Sequence, residues 1–191
     1  MSDDASLIAA SLAGDNAAFG RLVSAYQDRL FNSLLRVLGS REDAADIVQD
    51  AFVQAYTKLN TFRGGSAFYT WLYRIAFNLA MSHARRGKRT ASLDDRKSLV
   101  GDEPMDGRPT VDSGMMQQER AELVHAALGE LSLEYRQILV LREIDGCSYD
   151  EIAEILDVPV GTVRSRLFRA RMEMKELLSP RLHFERIVDT R

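Results

Sequence analysis

Apolar residues recur every three or four positions along most of the chain, and the one long interruption of that rhythm, between Gly87 and Gln118, constrains the fold most. A period near 3.6 gives a helix one apolar face, which must be buried against another element. Two periodic blocks with an aperiodic stretch between them therefore predict two small helical domains on a tether. The 191 residues suffice for that, or for one ordinary domain. Helix formers abound and alternating β-branched runs are hard to find, so the expected fold class is all-α.

In the first block, Phe19, Leu22, Val23, Tyr26, Leu30 and Leu34 predict a helix from Asp15 to Leu38, with Gly39 as its stop. Ser40 offers the next N-cap, and Asp43 occupies the capping-box position, where Asp fits less well than Glu. That helix should run to about Leu59, with Ala44, Ile47, Val48, Ala51, Phe52 and Ala55 inward. Arg63-Gly-Gly-Ser66 reads as a loop, and a third helix over Ala67–Arg85 is expected through Trp71, Leu72, Ile75, Ala76 and Leu79. The gap holds two of the four prolines, and over residues 92–118 six acids face three bases, so it reads as a flexible acidic linker. Periodicity resumes near Glu119 through Leu123, Ala127, Leu131, Ile138 and Leu141. The expected boundaries are 1–88 for the first domain, 89–118 for the linker and 119–191 for the second domain.

The second block contains a short helix over Tyr149–Leu156, a break at Asp157-Val-Pro-Val160, and another helix from Gly161-Thr162. Val163 follows Ala153 by ten residues, and Val163, Leu167, Ala170 and Met174 form the stripe that should be buried. That spacing fits a helix-turn-helix, whose second helix enters the major groove of DNA. Its outward residues are then Arg164, Ser165, Phe168 and Arg169, with Arg166 and Arg171 further round. Residues 160–178 carry five bases and two acids, although the whole chain has a net charge of -3. Arginine pairs with guanine edges or phosphates, and phenylalanine can touch thymine methyls. A solvated amphipathic surface is the other reading of this arginine run, and the turn and spacing favour DNA.

Other chemistries find little support. Cys147 is the single cysteine, which excludes an intramolecular disulfide or thiolate zinc cluster, and it is expected to be a semi-exposed structural thiol beside a turn. His83, His125 and His183 are scattered, no phosphate-binding loop or zinc-protease motif is present, and neither a metal nor a cofactor is expected. The acidic N-terminus and the lack of a long apolar run predict no signal peptide and no membrane insertion, hence a cytoplasmic protein.

Ser148–Met172, preceded by Leu133–Glu143, resembles domain four of bacterial sigma factors. Asp43–Tyr56, Phe62-Arg-Gly and Thr70–Asn78 resemble domain two. With both in this order and no third domain, the chain is similar to the extracytoplasmic-function, or group 4, class of the sigma-70 family. The resemblance implies that domain two docks on the clamp coiled coil of the largest subunit of core RNA polymerase through Asp46, Gln49, Asp50 and Tyr56. A solvated acidic face explains those positions equally well. It further implies that Arg63, Tyr69, Trp71, Arg74 and Asn78 handle the −10 element, backed by His83, Arg85, Arg86, Lys88 and Arg89. Extruded bases need stacking surfaces and cations. Trp71 reads equally well as core. Where primary sigma factors carry two adjacent tryptophans, the second here is Leu72.

By the same resemblance, Arg164, Ser165, Phe168 and Arg169 would read the −35 element of promoter DNA, and an anti-sigma factor would cover apolar surfaces of both domains. The expected function is promoter selection for RNA polymerase by a protein that is not an enzyme and is monomeric when free. The competing reading is a stand-alone helix-turn-helix regulator acting as a dimer on a two-fold operator.

Overall fold

A computed structural model describes residues 3–91 and 113–188, with side chains described over 4–86 and 121–180. Most of the expected linker, 92–112, lies outside the described residues, as do the side chains of Lys88, Arg89 and His183. Every regular element among the described residues is helical. The first half comprises α1 (Asp3–Leu12), α2 (Asn16–Leu38), α3 (Arg41–Thr57), a 3-10 turn (Leu59–Thr61) and α4 (Phe68–Ala91). The second comprises α5 (Ser113–Glu130), α6 (Leu133–Leu139), a π-helical turn (Val140–Ile144), α7 (Tyr149–Leu156) and α8 (Val160–Val188).

Local chemistry sets the helix ends. The Asp15 carboxylate accepts from the Ala17 and Ala18 amides at 2.9 and 3.3 Å, satisfying donors that α2 leaves open. Gly39 ends α2 in the left-handed region, φ 73°, as its place in the sequence predicts. Ser40 caps α3 through the Asp43 amide at 3.2 Å, while the Asp43 carboxylate reaches His83, 3.6 Å away, instead of closing a capping box. The inward residues of α3 are buried as expected, except that Val48 is only partly so. Helix α1 was not among the sequence-based expectations; it is tied down by Leu7 and Ile8 in the core and by the Tyr26 hydroxyl on Asp4 at 2.5 Å.

The two halves are packed together. A continuous apolar core runs from Leu34, Val37, Tyr73 and Phe77 of the first half to Ile138, Leu141 and Ile155 of the second. Polar ties reinforce it. Arg136 of α6 donates to the Val37 carbonyl at 2.8 Å, capping the end of α2, and to the Gly129 and Leu131 carbonyls at 2.5 and 3.2 Å. A cation at a helix C-terminus also meets the negative end of the helix dipole. Cutting Arg136 back removes the donor from the part-buried Val37 and Leu131 carbonyls, and an unsatisfied buried group costs about 1–3 kcal/mol. Arg136→Ala should therefore lower the urea-unfolding free energy by roughly 2–3 kcal/mol, read from the shift in unfolding midpoint.

Candidate nucleic-acid interface

Ser148 and Glu151 open α7 with a reciprocal capping box: the Glu151 amide donates to Ser148 Oγ at 3.2 Å, and the Ser148 amide donates to Glu151 Oε2 at 2.7 Å. Asp157 closes the helix in the left-handed region, φ 54°, which Asp tolerates better than most residues. Its amide and that of Val158 return to the Ala153 carbonyl. Pro159 then starts α8, its carbonyl accepting from the Thr162 and Val163 amides at 2.8 and 3.1 Å. Helix α8 begins at Val160, a residue earlier than the sequence predicts, because Pro159 already has a helix-compatible φ. Val163, Leu167 and Ala170 are buried against the rest of the second half, with Met174 packed at their edge.

That burial turns Arg164, Ser165, Phe168 and Arg169 to the surface, with Phe168 66% exposed. The arginines divide into two kinds. Arg171 is bound to the Glu143 carboxylate through Nε and Nη2 at 3.0 and 2.7 Å, and its pKa is pushed up by that pairing. Arg166 lies 3.4 Å from Glu134. Arg164 and Arg169 have no ion-pair partner among the described residues, so they are the cations left for a ligand. A shallow groove beside them joins Phe168 and Arg169 to Tyr135, Met172, Glu173 and Glu176. The sequence does not single out Tyr135 or Met172, since their partnership with Phe168 depends on how α6 crosses α8.

On α4, Trp71, Arg74 and Asn78 fall at spacings that share one helix face. Trp71 is half-buried, its ring 5.3 Å from Phe62 and 5.8 Å from Phe68, so it is both core and surface. Asn78 is exposed, and Arg63 stands exposed in the preceding loop. Tyr69 lies on a different side, turned toward α7: its hydroxyl donates to Glu151 and its ring lies under Arg29, 5.1 Å from the guanidinium carbon. Burial and that hydrogen bond raise the Tyr69 pKa. Burial alone would raise the Glu151 carboxyl, but the hydrogen bonds from Tyr69 and Ser148 outweigh it and hold the pKa below its ordinary value. Arg74 reaches Asp157 at 3.2 Å. The five residues assigned to the −10 element thus do not form one open surface, because α7 covers part of it.

Asp46, Gln49 and Asp50 form an exposed polar stripe on α3. Tyr56 is half-exposed at the far end of the helix, its hydroxyl 2.7 Å from Asn16 Oδ1 and its ring against Phe19. Val53, 58% exposed, stands near it in sequence and carries no signal a polar-stripe reading could use. Cys147 departs from expectation: it is buried rather than semi-exposed, and burial followed by the nearby Asp145 and Glu151 charges pushes its thiol up to about 11.

Two family models match the chain: sigma-70 region 2 over residues 22–90, and sigma-70 region 4 over residues 121–174. The RNA polymerase sigma-H factor of Pseudomonas aeruginosa is 41% identical over 174 residues, covering 88% of this chain and 90% of that protein. The chain belongs to the sigma-70 family. Within it, the extracytoplasmic-function class is marked by the ECF RNA polymerase sigma-E factor of Escherichia coli, 40% identical over 87% of this chain and 90% of its own length. The Haemophilus influenzae protein of the same name is 39% identical over 93% and 96%. Among solved structures, the sigma factor RpoE of Bartonella quintana, in complex with the anti-sigma factor NepR, superposes with a TM-score of 0.70 at 26% identity, covering 84% of this chain and 96% of that one. CnrH, in complex with the cytosolic domain of CnrY, gives 0.66 at 27% identity over 94% and 99%.

For this sigma factor, the pairing of Arg171 with Glu143 makes a quantitative prediction. Each phosphate neutralised on duplex DNA contributes a slope of about −0.9 to log K against log salt. Glu143→Gln frees Arg171 and should tighten duplex binding, steepening the slope by about 0.9. The measurement is fluorescence anisotropy across a salt series.

Proposed function

We propose that this sigma factor gives core RNA polymerase its promoter choice through a division of labour between its halves. Residues 1–88 act as the domain that docks on the polymerase and handles the −10 element, 89–118 as a linker, and 119–191 as the domain that reads the −35 element. The observation that carries the reading is the pair Arg164 and Arg169, exposed with Phe168 on α8 and free of ion pairs among the described residues. An unpartnered arginine on the early turns of a recognition helix is free to meet guanine edges or phosphates, and Ser165 can contact either. Arg166 and Arg171 serve as secondary phosphate contacts that must first leave Glu134 and Glu143.

On the other half, Arg63, Tyr69, Trp71, Arg74 and Asn78 supply the stacking rings, cations and amide that a separated strand requires. Asp46, Gln49, Asp50 and Tyr56 contact the clamp coiled coil of the largest polymerase subunit. The relatives solved as complexes support an anti-sigma factor as a further partner. The protein works in the cytoplasm, is monomeric when free, and catalyses no reaction of its own.

The test is run-off transcription with purified core polymerase and a pool of genomic promoter fragments. Discrete transcripts that depend on the protein are the expected result, and their upstream sequences define both elements. Arg164→Ala combined with Arg169→Ala should abolish transcription that depends on the −35 element yet leave polymerase binding intact. Loss of both together would remove the division of labour. A protein that binds a two-fold operator as a dimer and ignores polymerase would replace the whole reading.

A further inference from the structure

The loop over residues 63–67 hangs from a joint made of rings. Phe62, just before it, and Phe68, just after it, meet edge to face with centroids 5.8 Å apart. Trp71, one turn further along α4, touches both, 5.3 Å from Phe62 and 5.8 Å from Phe68. The loop itself brings little to fix its place: Arg63, Gly64 and Gly65 are exposed, and Gly64 takes the left-handed region at φ 69°. Its position therefore depends on the rings at its two ends. Behind them stands Tyr26 of α2, its ring 5.6 Å from Phe68. The Tyr26 hydroxyl donates to Asp4 Oδ2 of α1 at 2.5 Å. Helix α1 is in turn fixed by Leu7 and Ile8 in the core, and it lies against the Leu59–Thr61 turn that leads into Phe62.

We propose that Asp4 and Tyr26 are positioning residues for the −10 strand: they touch no base, but hold Phe68, and through it the ring joint that sets Trp71 and the loop bearing Arg63. The inference deepens the −10 reading made above and rests on it. Its physical basis is preorganisation. A loop with two adjacent glycines loses much conformational freedom when it closes on a base, and fixed anchors at both ends reduce that cost before the strand arrives. A hydrogen bond to a carboxylate is short and roughly twice as strong as one between neutral groups. Burial first, and then the bond to Asp4, raise the Tyr26 pKa to about 12, so the hydroxyl stays a donor throughout the ordinary pH range. Without that bond Tyr26 keeps its ring but loses what orients it, and Phe68 loses the wall it leans on.

Trp71 is the single tryptophan, so its emission reports on the joint in the free protein without a label. Asp4→Ala and Tyr26→Phe break the same bond from its two sides and leave every ring in place. Each should raise acrylamide quenching of Trp71, and by the same amount. In holoenzyme assembled with core polymerase, each should weaken binding of a fluorescent pool of short single-stranded oligonucleotides by roughly fivefold, the size of one aromatic pair. Duplex binding by the free protein, assigned above to α8, should not change. The two substitutions combined should do no more than either alone, because once the bond is gone its second partner has nothing left to lose. Either variant serves by itself if the other does not fold.

Unchanged Trp71 quenching in both variants overturns the anchor. Stronger quenching with unchanged strand affinity overturns the positioning role. So does a double variant whose losses simply add, or an equal loss of duplex binding, which marks general destabilisation. Arg63→Ala, which alters a residue assigned to touch the strand, must weaken strand binding by the holoenzyme in any case. If it does not, the −10 assignment itself fails, whatever Asp4 and Tyr26 show.

Discussion

A carboxylate that leaves water has to be met by donors, and the relation between the halves of this sigma factor depends on how Asp145 is met. The π-helical turn after α6 puts it there: the Asp145 amide closes on the Val140 carbonyl at 3.0 Å, one residue further back than an α-helix would allow. The widened turn and Gly146, in the left-handed region at φ 71°, end the helix with Asp145 facing α2. Ser33 satisfies one carboxylate oxygen; the other is buried with no hydrogen-bond partner. Burial accordingly raises the Asp145 pKa against the opposing pull of Ser33, Arg29 and Arg36. A buried charge met in this incomplete way contributes little net stability, but it fits one register of α2 against the second half and penalises the others.

From that joint the positions of α7 and α8 follow. The capping box and the left-handed Asp157 fix the turn between them, while the Val163, Leu167 and Ala170 stripe fixes the rotation of α8 about its own axis. Rotation decides which arginines are free. Arg166 and Arg171 come within reach of acids on α6 and the π turn, whereas Arg164 and Arg169 come within reach of none among the described residues. The four arginines of this run thus have unequal surroundings, and the difference arises from packing rather than composition.

The parts legible in the sequence are those settled by near neighbours. Asp15, Gly39, Ser40 and Pro159 act within three or four residues, so helix ends could be placed to within a residue or two at most of the boundaries they govern. The buried stripe of α8 has a strong period and was equally readable. Helix α1 was not, because its short apolar run takes its meaning from Tyr26 and the core it joins. Cys147 illustrates the same limit: next to a turn it reads as half-exposed, and only the arrival of α2 and α4 buries it. The acids facing Tyr69 and Arg74 lie more than eighty residues away in the chain, and nothing local pairs them.

The seam and helix α8 together decide which cations of the chain a ligand can reach. Two weak sites on one chain reinforce each other strongly only when both can engage at once; with one withdrawn, the second acts alone and the advantage of linkage disappears. In the packed arrangement Arg164 and Arg169 remain accessible while Tyr69 and Arg74 are held by Glu151 and Asp157. Arg164 and Arg169 offer a ligand a contact with an electrostatic part, which weakens as salt rises. Tyr69 and Arg74 become available only when Glu151 and Asp157 release them. Asp157, at the end of α7, occupies a cation, Arg74, that another anion could also take. What separates the halves must therefore supply more interaction with the open form than the seam supplies to the closed one.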